Sequence, residues 1–127
     1  MPNSSKASEN KRLLLVDDEP QLRELLGFQL RRSGYEVKAA ASGPEALETL
    51  REFAPDIIVL DVLMRPWDGF ETAARMRPLT GAPILFLSSL SAEMLQQKTA
   101  AAALPCTSFL TKPFRFEELR ALLSSLL

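Results

Sequence analysis

Three unbroken apolar quartets, Leu13-Leu14-Leu15-Val16, Ile57-Ile58-Val59-Leu60 and Ile84-Leu85-Phe86-Leu87, with a shorter Phe109-Leu110, constrain this chain more than any other feature. Each is too short for an ordinary helix and is flanked by Pro, Asp, Ser or Thr. A strand with one wet face alternates apolar and polar residues. A continuous run needs cover on both faces, the condition of a strand inside a parallel sheet. Tyr35, Val37 and Ala39 alternate with Glu36 and Lys38, so residues 35–40 read as a less buried strand near an edge.

Helical patterns fill the intervals. Pro20 stands at a first helical position, Leu22, Leu25, Leu26 and Leu30 follow on one face, and Gly34 ends the helix. Ser42-Gly43-Pro44-Glu45 reads as a capping box opening a helix through Ala46, Leu47 and Leu50. A third helix is expected from Phe70 to Arg77, stopped by Pro78, and a fourth from about Ala92 to Ala103, before Pro105. The last takes Phe116, Leu119, Leu123 and Leu126 as its apolar stripe. Five strands alternating with five helices make an α/β chain, doubly wound as (βα)5, with right-handed crossovers placing helices on both sheet faces.

The 127 residues suit one domain, and the polar first ten, residues 1–10, read as a flexible leader to a domain over 11–127. A formal net charge of -1 gives no general reason for nucleic-acid or anionic-membrane binding. Cys106 alone cannot form an internal disulfide, which fits a reducing cytoplasm, and no apolar run approaches a membrane span. The absence of histidine excludes Ser-His and Cys-His nucleophile pairs, imidazole zinc sites and phosphohistidine on this chain. Chemistry is left to carboxylates, hydroxyls, lysine or a bound hard cation.

In open parallel sheets ligands bind outside the carboxyl ends of the strands. The residues there are Asp17-Asp18, Asp61, Ser88-Ser89 and Thr111-Lys112-Pro113. Each alone reads blandly: an Asp after a strand is usually a turn former, Ser88 a loop cap, Lys112 a solvated charge. Together they point to one site, because clustered carboxylates repel unless a cation joins them. Oxygen ligands suit Mg²⁺. A lysine and a seryl O–H can hold phosphoryl oxygens, leaving one carboxylate to attack phosphorus as nucleophile.

Asp17-Asp18 after the first strand, Asp61 with Met64 and Asp68-Gly69 downstream, Ser88 after Pro83-Ile84-Leu85-Phe86-Leu87, and Lys112-Pro113-Phe114 closely resemble the receiver domain of bacterial two-component response regulators. The resemblance spans roughly Lys11 to Leu127. It implies a flavodoxin-like fold with strand order 2-1-3-4-5. It also implies Asp61 as phosphoacceptor, with Mg²⁺ (or Mn²⁺) held by Asp18, by Asp17 directly or through a water, by Asp61 and by the backbone carbonyl of Leu63. Ser88 falls at the family's Thr/Ser switch position, Lys112 at its phosphate-contacting lysine, and Phe109 at its switch aromatic. Phe109 also reads simply as a core aromatic. Lys112-Pro113 is the candidate for the cis bond common in the family, which Pro113 permits.

The chain departs from the family pattern in places. Met64-Arg65-Pro66-Trp67 sets the proline one residue late, and Leu104-Pro105-Cys106 lacks the glycine usual before the fifth strand. Arg65 and Trp67 are read as covering the rim of the site, with contact to a partner as the alternative. Leu63 and Leu90 flank the family's route for hydrolytic water, and two apolar side chains there are expected to slow dephosphorylation.

The resulting expectation is a phosphorylation-dependent switch of a two-component phosphorelay, in the cytoplasm. It accepts a phosphoryl group from a sensor histidine kinase or phosphotransfer protein, and signals through the face of the fourth helix, fifth strand and fifth helix. Output goes to an effector protein or a fused domain, and that face also allows a homodimer; Thr99 and Ala100–Ala103 suit close packing there and read equally as good helix formers against the sheet. The chain is not read as an enzyme, although it assists its own phosphorylation and dephosphorylation. It is not expected to bind DNA or a membrane itself. A degenerate receiver binding proteins without phosphate is the alternative. A third class, an aspartyl-nucleophile phosphohydrolase, fits poorly because Asp17 and Asp18 are adjacent rather than two apart.

Overall fold

The computed structural model describes residues 11–89, 94 and 107–127. Its elements are β1 (Arg12–Val16), α1 (Pro20–Arg32), β2 (Glu36–Ala40), α2 (Gly43–Thr49), β3 (Ile57–Asp61), α3 (Gly69–Met76), β4 (Ile84–Ser88), β5 (Thr107–Thr111) and a C-terminal helix, α4 (Phe116–Leu126). The leader, Leu90, the small-residue run at 99–103 and Cys106 lie outside the described residues, as does nearly all of the expected fourth helix.

The strands form one parallel sheet in the order β2-β1-β3-β4-β5, as the resemblance implies. The unbroken apolar runs are explained by its two covered faces. Leu14, Val16, Ile58, Leu60, Ile84 and Phe86 pack on Ala46, Ala73 and Met76. Alternate residues Leu13, Leu15, Ile57, Val59, Leu85 and Leu87 meet Leu26 and Leu30 of α1 and Leu119 and Leu123 of α4. Full burial of each such side chain favours folding by about 1.5–3 kcal/mol.

Helix starts follow local chemistry. Ser42 Oγ accepts from Glu45 N at 3.2 Å, and Glu45 Oε1 accepts from Ala41 N, so the reciprocal bond reaches one residue further back than a standard capping box. Asp68 Oδ1 caps α3 by accepting from Glu71 N at 2.8 Å. After α1 the chain reverses at Gly34, whose φ of 103° suits glycine.

Two apolar expectations need correction. Leu25 is 53% exposed, because the i, i+4 row Leu22, Leu26, Leu30 meets the sheet and Leu25 falls at its margin. Ala39 is exposed and Ala40 buried, because α2 covers the opposite face at that end of the edge strand. The Lys112-Pro113 bond is cis, as is Arg65-Pro66, where the displaced proline sits.

Candidate functional site

Strand register brings the site together. Val16 lies beside Leu60, Asp61 beside Leu87, and Ser88 beside Thr111. Asp17 is the residue after β1, Asp61 ends β3, Ser88 ends β4, and Lys112 follows β5. One row across the sheet edge therefore holds all four. Asp17, Asp61 and Ser88 are buried, while Asp18 faces solvent.

Carboxylate oxygens of Asp17, Asp18 and Asp61 lie within 4.8 Å of one another. Lys112 Nζ donates to Asp61 Oδ1 at 2.9 Å, and its backbone N–H donates to the Ser88 carbonyl at 2.7 Å. Asp17 Oδ1 accepts from Glu19 N at 2.9 Å, but Asp17 Oδ2 is buried with no hydrogen-bond partner. Burial pushes the Asp17 carboxyl up to about 6, opposed by the Glu19 N–H and reinforced by Asp61. Burial also raises Asp61, against the Lys112 hydrogen bond and charge.

An orphaned buried carboxylate oxygen beside two further carboxylates is a donor set that a divalent cation completes. All-oxygen ligands with an open, partly solvated side fit Mg²⁺. Asp17, Asp18 and Asp61 thus form an acidic pocket suited to that ion.

The loop after Asp61 exposes the Leu63 side chain between the buried Val62 and Met64. That loop then folds back tightly. Gly69 N donates to the Val62 carbonyl at 2.7 Å, and a Cβ on Gly69 would sit 2.5 Å from the Asp61 carbonyl oxygen. Trp67 rests on Gly43, where an added Cβ would meet its ring at 2.6 Å, and the Arg75 guanidinium lies 4.2 Å from the ring centroid. Trp67 is thus half-buried between α2 and α3, while Arg65 is exposed.

Phe109 is half-buried and stacks on Phe86 with centroids 6.1 Å apart, and Phe86 in turn meets Phe70 at 5.0 Å. Rings from β5, β4 and α3 thus form a continuous row below the site. Sequence reasoning missed Arg23, whose Nη1 donates to the Asp17 carbonyl at 2.7 Å. Its place one turn into the helix that Pro20 opens gave no signal, since an arginine there ordinarily faces water.

Comparison with known proteins gives a consistent picture. The family model described as response regulator receiver domain matches residues 13–124. The alkaline phosphatase synthesis transcriptional regulatory protein PhoP of Bacillus subtilis is 38% identical over 119 residues, covering 93% of this chain and 49% of PhoP. This chain spans about half the length of the curated relatives it matches. The chemotaxis protein CheY4 of Vibrio cholerae superimposes with a TM-score of 0.84 at 34% identity, over 93% of this chain and 99% of that one. The response regulator TrrA of Thermotoga maritima, solved in complex with Mg²⁺-BeF, gives 0.78 at 36% identity, over 92% and 99%.

Proposed function

This chain belongs to the response regulator receiver domain family, and from that premise we propose that it is a phosphorylation-dependent switch with Asp61 as its phosphoacceptor. Receiver domains are signalling modules rather than enzymes, and they interact with histidine kinases or phosphotransfer proteins. In the proposed reaction an Asp61 carboxylate oxygen attacks phosphorus of a partner's phosphohistidine. The P–N bond breaks, and the imidazole nitrogen leaves with its electron pair.

The observation that carries this reading is the convergence of three carboxylates on one point, with the Lys112 ammonium 2.9 Å from Asp61. Asp17, Asp18, Asp61 and the Leu63 carbonyl would hold Mg²⁺, which supplies charge to offset the carboxylates and the phosphoryl oxygens. Lys112 directs its N–H groups at the acceptor, and Ser88 stands on the neighbouring strand end to donate to a phosphoryl oxygen.

Phosphorylation adds a charge of about -1.5 to -2 at pH 7. Movement of Ser88 toward that charge frees space next to the Phe86–Phe109 stack, and Phe109 turns inward to fill it. The surface of β5, α4 and the expected fourth helix then changes, shifting affinity for an effector or a second copy of the chain. A groove of about 560 Å³ beside Lys112, lined by Leu22, Leu25, Leu26, Phe114 and Phe116, supports docking of the phosphodonor close to Asp61. No helix among the described residues is long and apolar enough to cross a membrane. We assign the switch to the cytoplasm and its output to a separate or fused partner rather than to DNA.

Intact mass after incubation with Mg²⁺ and acetyl phosphate tests the proposal. One phosphoryl adduct is expected on the wild type, with none on Asp61→Asn or in chelator. If a phosphohistidine donor also leaves no adduct, the reading gives way to a phosphate-independent binding module.

A further inference from the structure

The acidic pocket depends on a short turn, Asp17-Asp18-Glu19, between β1 and Pro20, whose ring holds only Glu19 in the extended region and leaves the Asp17-Asp18 peptide unfixed. Two adjacent carboxylates would ordinarily splay apart into solvent, yet here Asp17 is turned inward and buried while Asp18 stays at the rim. The bonds that hold this geometry are few. Asp17 N donates to the Ala40 carbonyl at 3.1 Å, Glu19 N donates to Asp17 Oδ1 at 2.9 Å, and Arg23 Nη1 donates to the Asp17 carbonyl oxygen at 2.7 Å. The first fixes the exit from β1 and the second fixes the side chain. Only the third is a side chain reaching back from α1 to the peptide that links Asp17 to Asp18.

We infer that Arg23 is a positioning residue for the cation site: its charge-assisted bond to the Asp17 carbonyl sets the orientation of the Asp17-Asp18 peptide and so the spacing of the two carboxylates. The inference rests on the receiver reading of the pocket. Arg23 acts through geometry, since its guanidinium contacts the main-chain carbonyl rather than a carboxylate. Arg23 is half-buried and its own backbone N–H donates to Glu19 at 2.9 Å, so the guanidinium is delivered from the first turn of a helix seated on the sheet. A short bond from a planar cation to a carbonyl is strong and directional, and partners that orient ligand residues in this way typically govern metal affinity by 10–100-fold, about.

The test is calorimetric titration of Mg²⁺ into wild type, Arg23→Ala, Arg23→Lys and Arg31→Ala. Arg31 is the internal control, because it makes the same kind of bond, Nη2 to the Val37 carbonyl at 3.2 Å, at the far end of the same helix. The expected result is about tenfold weaker Mg²⁺ binding in Arg23→Ala. Arg23→Lys is expected to recover most of that loss, and Arg31→Ala to keep wild-type affinity even where its unfolding midpoint falls. Wild-type affinity in Arg23→Ala overturns the inference and leaves the cation site standing. Equal losses in Arg23→Ala and Arg31→Ala also overturn it, because general loosening of α1 then explains both. Failure of the wild type to bind Mg²⁺ removes the receiver reading itself, and this inference with it.

Discussion

Lys112 Nζ and Asp61 Oδ1 stand 2.9 Å apart in a site where the Asp61 side chain is only 7% exposed. In the absence of a divalent ion the lysine is the nearest compensation for the acceptor's charge. It is also a competitor for the oxygen, so the acceptor is held in place and partly neutralised before any phosphoryl group arrives.

Removing that ammonium leaves a buried carboxylate with less compensation. Lys112→Ala is expected to lower stability by about 1–3 kcal/mol without metal. Saturating Mg²⁺ should recover part of the loss, because a cation in the pocket replaces some of the missing charge. Urea unfolding with chelator and with Mg²⁺ measures both, and an equal loss in the two conditions contradicts the argument.

The raised Asp17 carboxyl predicts a pH dependence. Its folded value of about 6 lies above the ordinary 3.8, so its contribution to stability is fully present below the ordinary value and is lost as pH rises through about 6. Mg²⁺ needs the ionised form. Affinity is therefore expected to rise by up to about tenfold per pH unit below pH 6 and to level off above it. Asp17→Asn keeps an acceptor for Glu19 N but removes the buried charge. It should stabilise the metal-free protein at neutral pH by about 1–3 kcal/mol and flatten the pH slope of Mg²⁺ binding to the part that Asp61 contributes, as calorimetry across that range would show.

Gly69 faces backbone rather than flexible side chains. A methyl group there would lie 2.5 Å from the Asp61 carbonyl oxygen and 2.8 Å from Val62 Cα. Gly69→Ala is expected to cost about 1–3 kcal/mol and to weaken Mg²⁺ binding, because the end of β3 must move. Wild-type Mg²⁺ affinity in a destabilised Gly69→Ala would show that α3 shifts instead.

Leu63 is 62% exposed, so its replacement should leave stability within about 0.5 kcal/mol. Leu63→Asn places a hydrogen-bonding group beside the open side of the acceptor, where it can orient attacking water. A shorter phosphate lifetime is expected, followed as loss of the phosphoryl adduct over time. An unchanged lifetime rules out the apolar shield.

The sheet and the position of the four site elements were legible because each depends on a short-range pattern, whereas the strand order was implied only by the family resemblance. Unbroken runs such as Ile57–Leu60 required two covered faces, and the residue after each run marked the ligand-binding edge. Asp17, Asp61, Ser88 and Lys112 come together as those runs implied. Periodicity overstated the buried face of α1 at Leu25, since an i, i+3, i+4 pattern does not say where the helix margin lies. Arg23 was not legible, because an arginine in the first turns of a helix ordinarily points to water. Its role depends on a carbonyl whose direction only the folded turn fixes. The Gly69 contact depends likewise on how the displaced proline loop returns to β3.

The seating of Trp67 has a practical corollary. It is the chain's one tryptophan, held between the Gly43 backbone and the Arg75 guanidinium on the loop that leaves Asp61. Indole emission from this molecule therefore comes from a single chromophore beside the acceptor loop. Its wavelength and quenching give an optical gauge of that loop with no label attached.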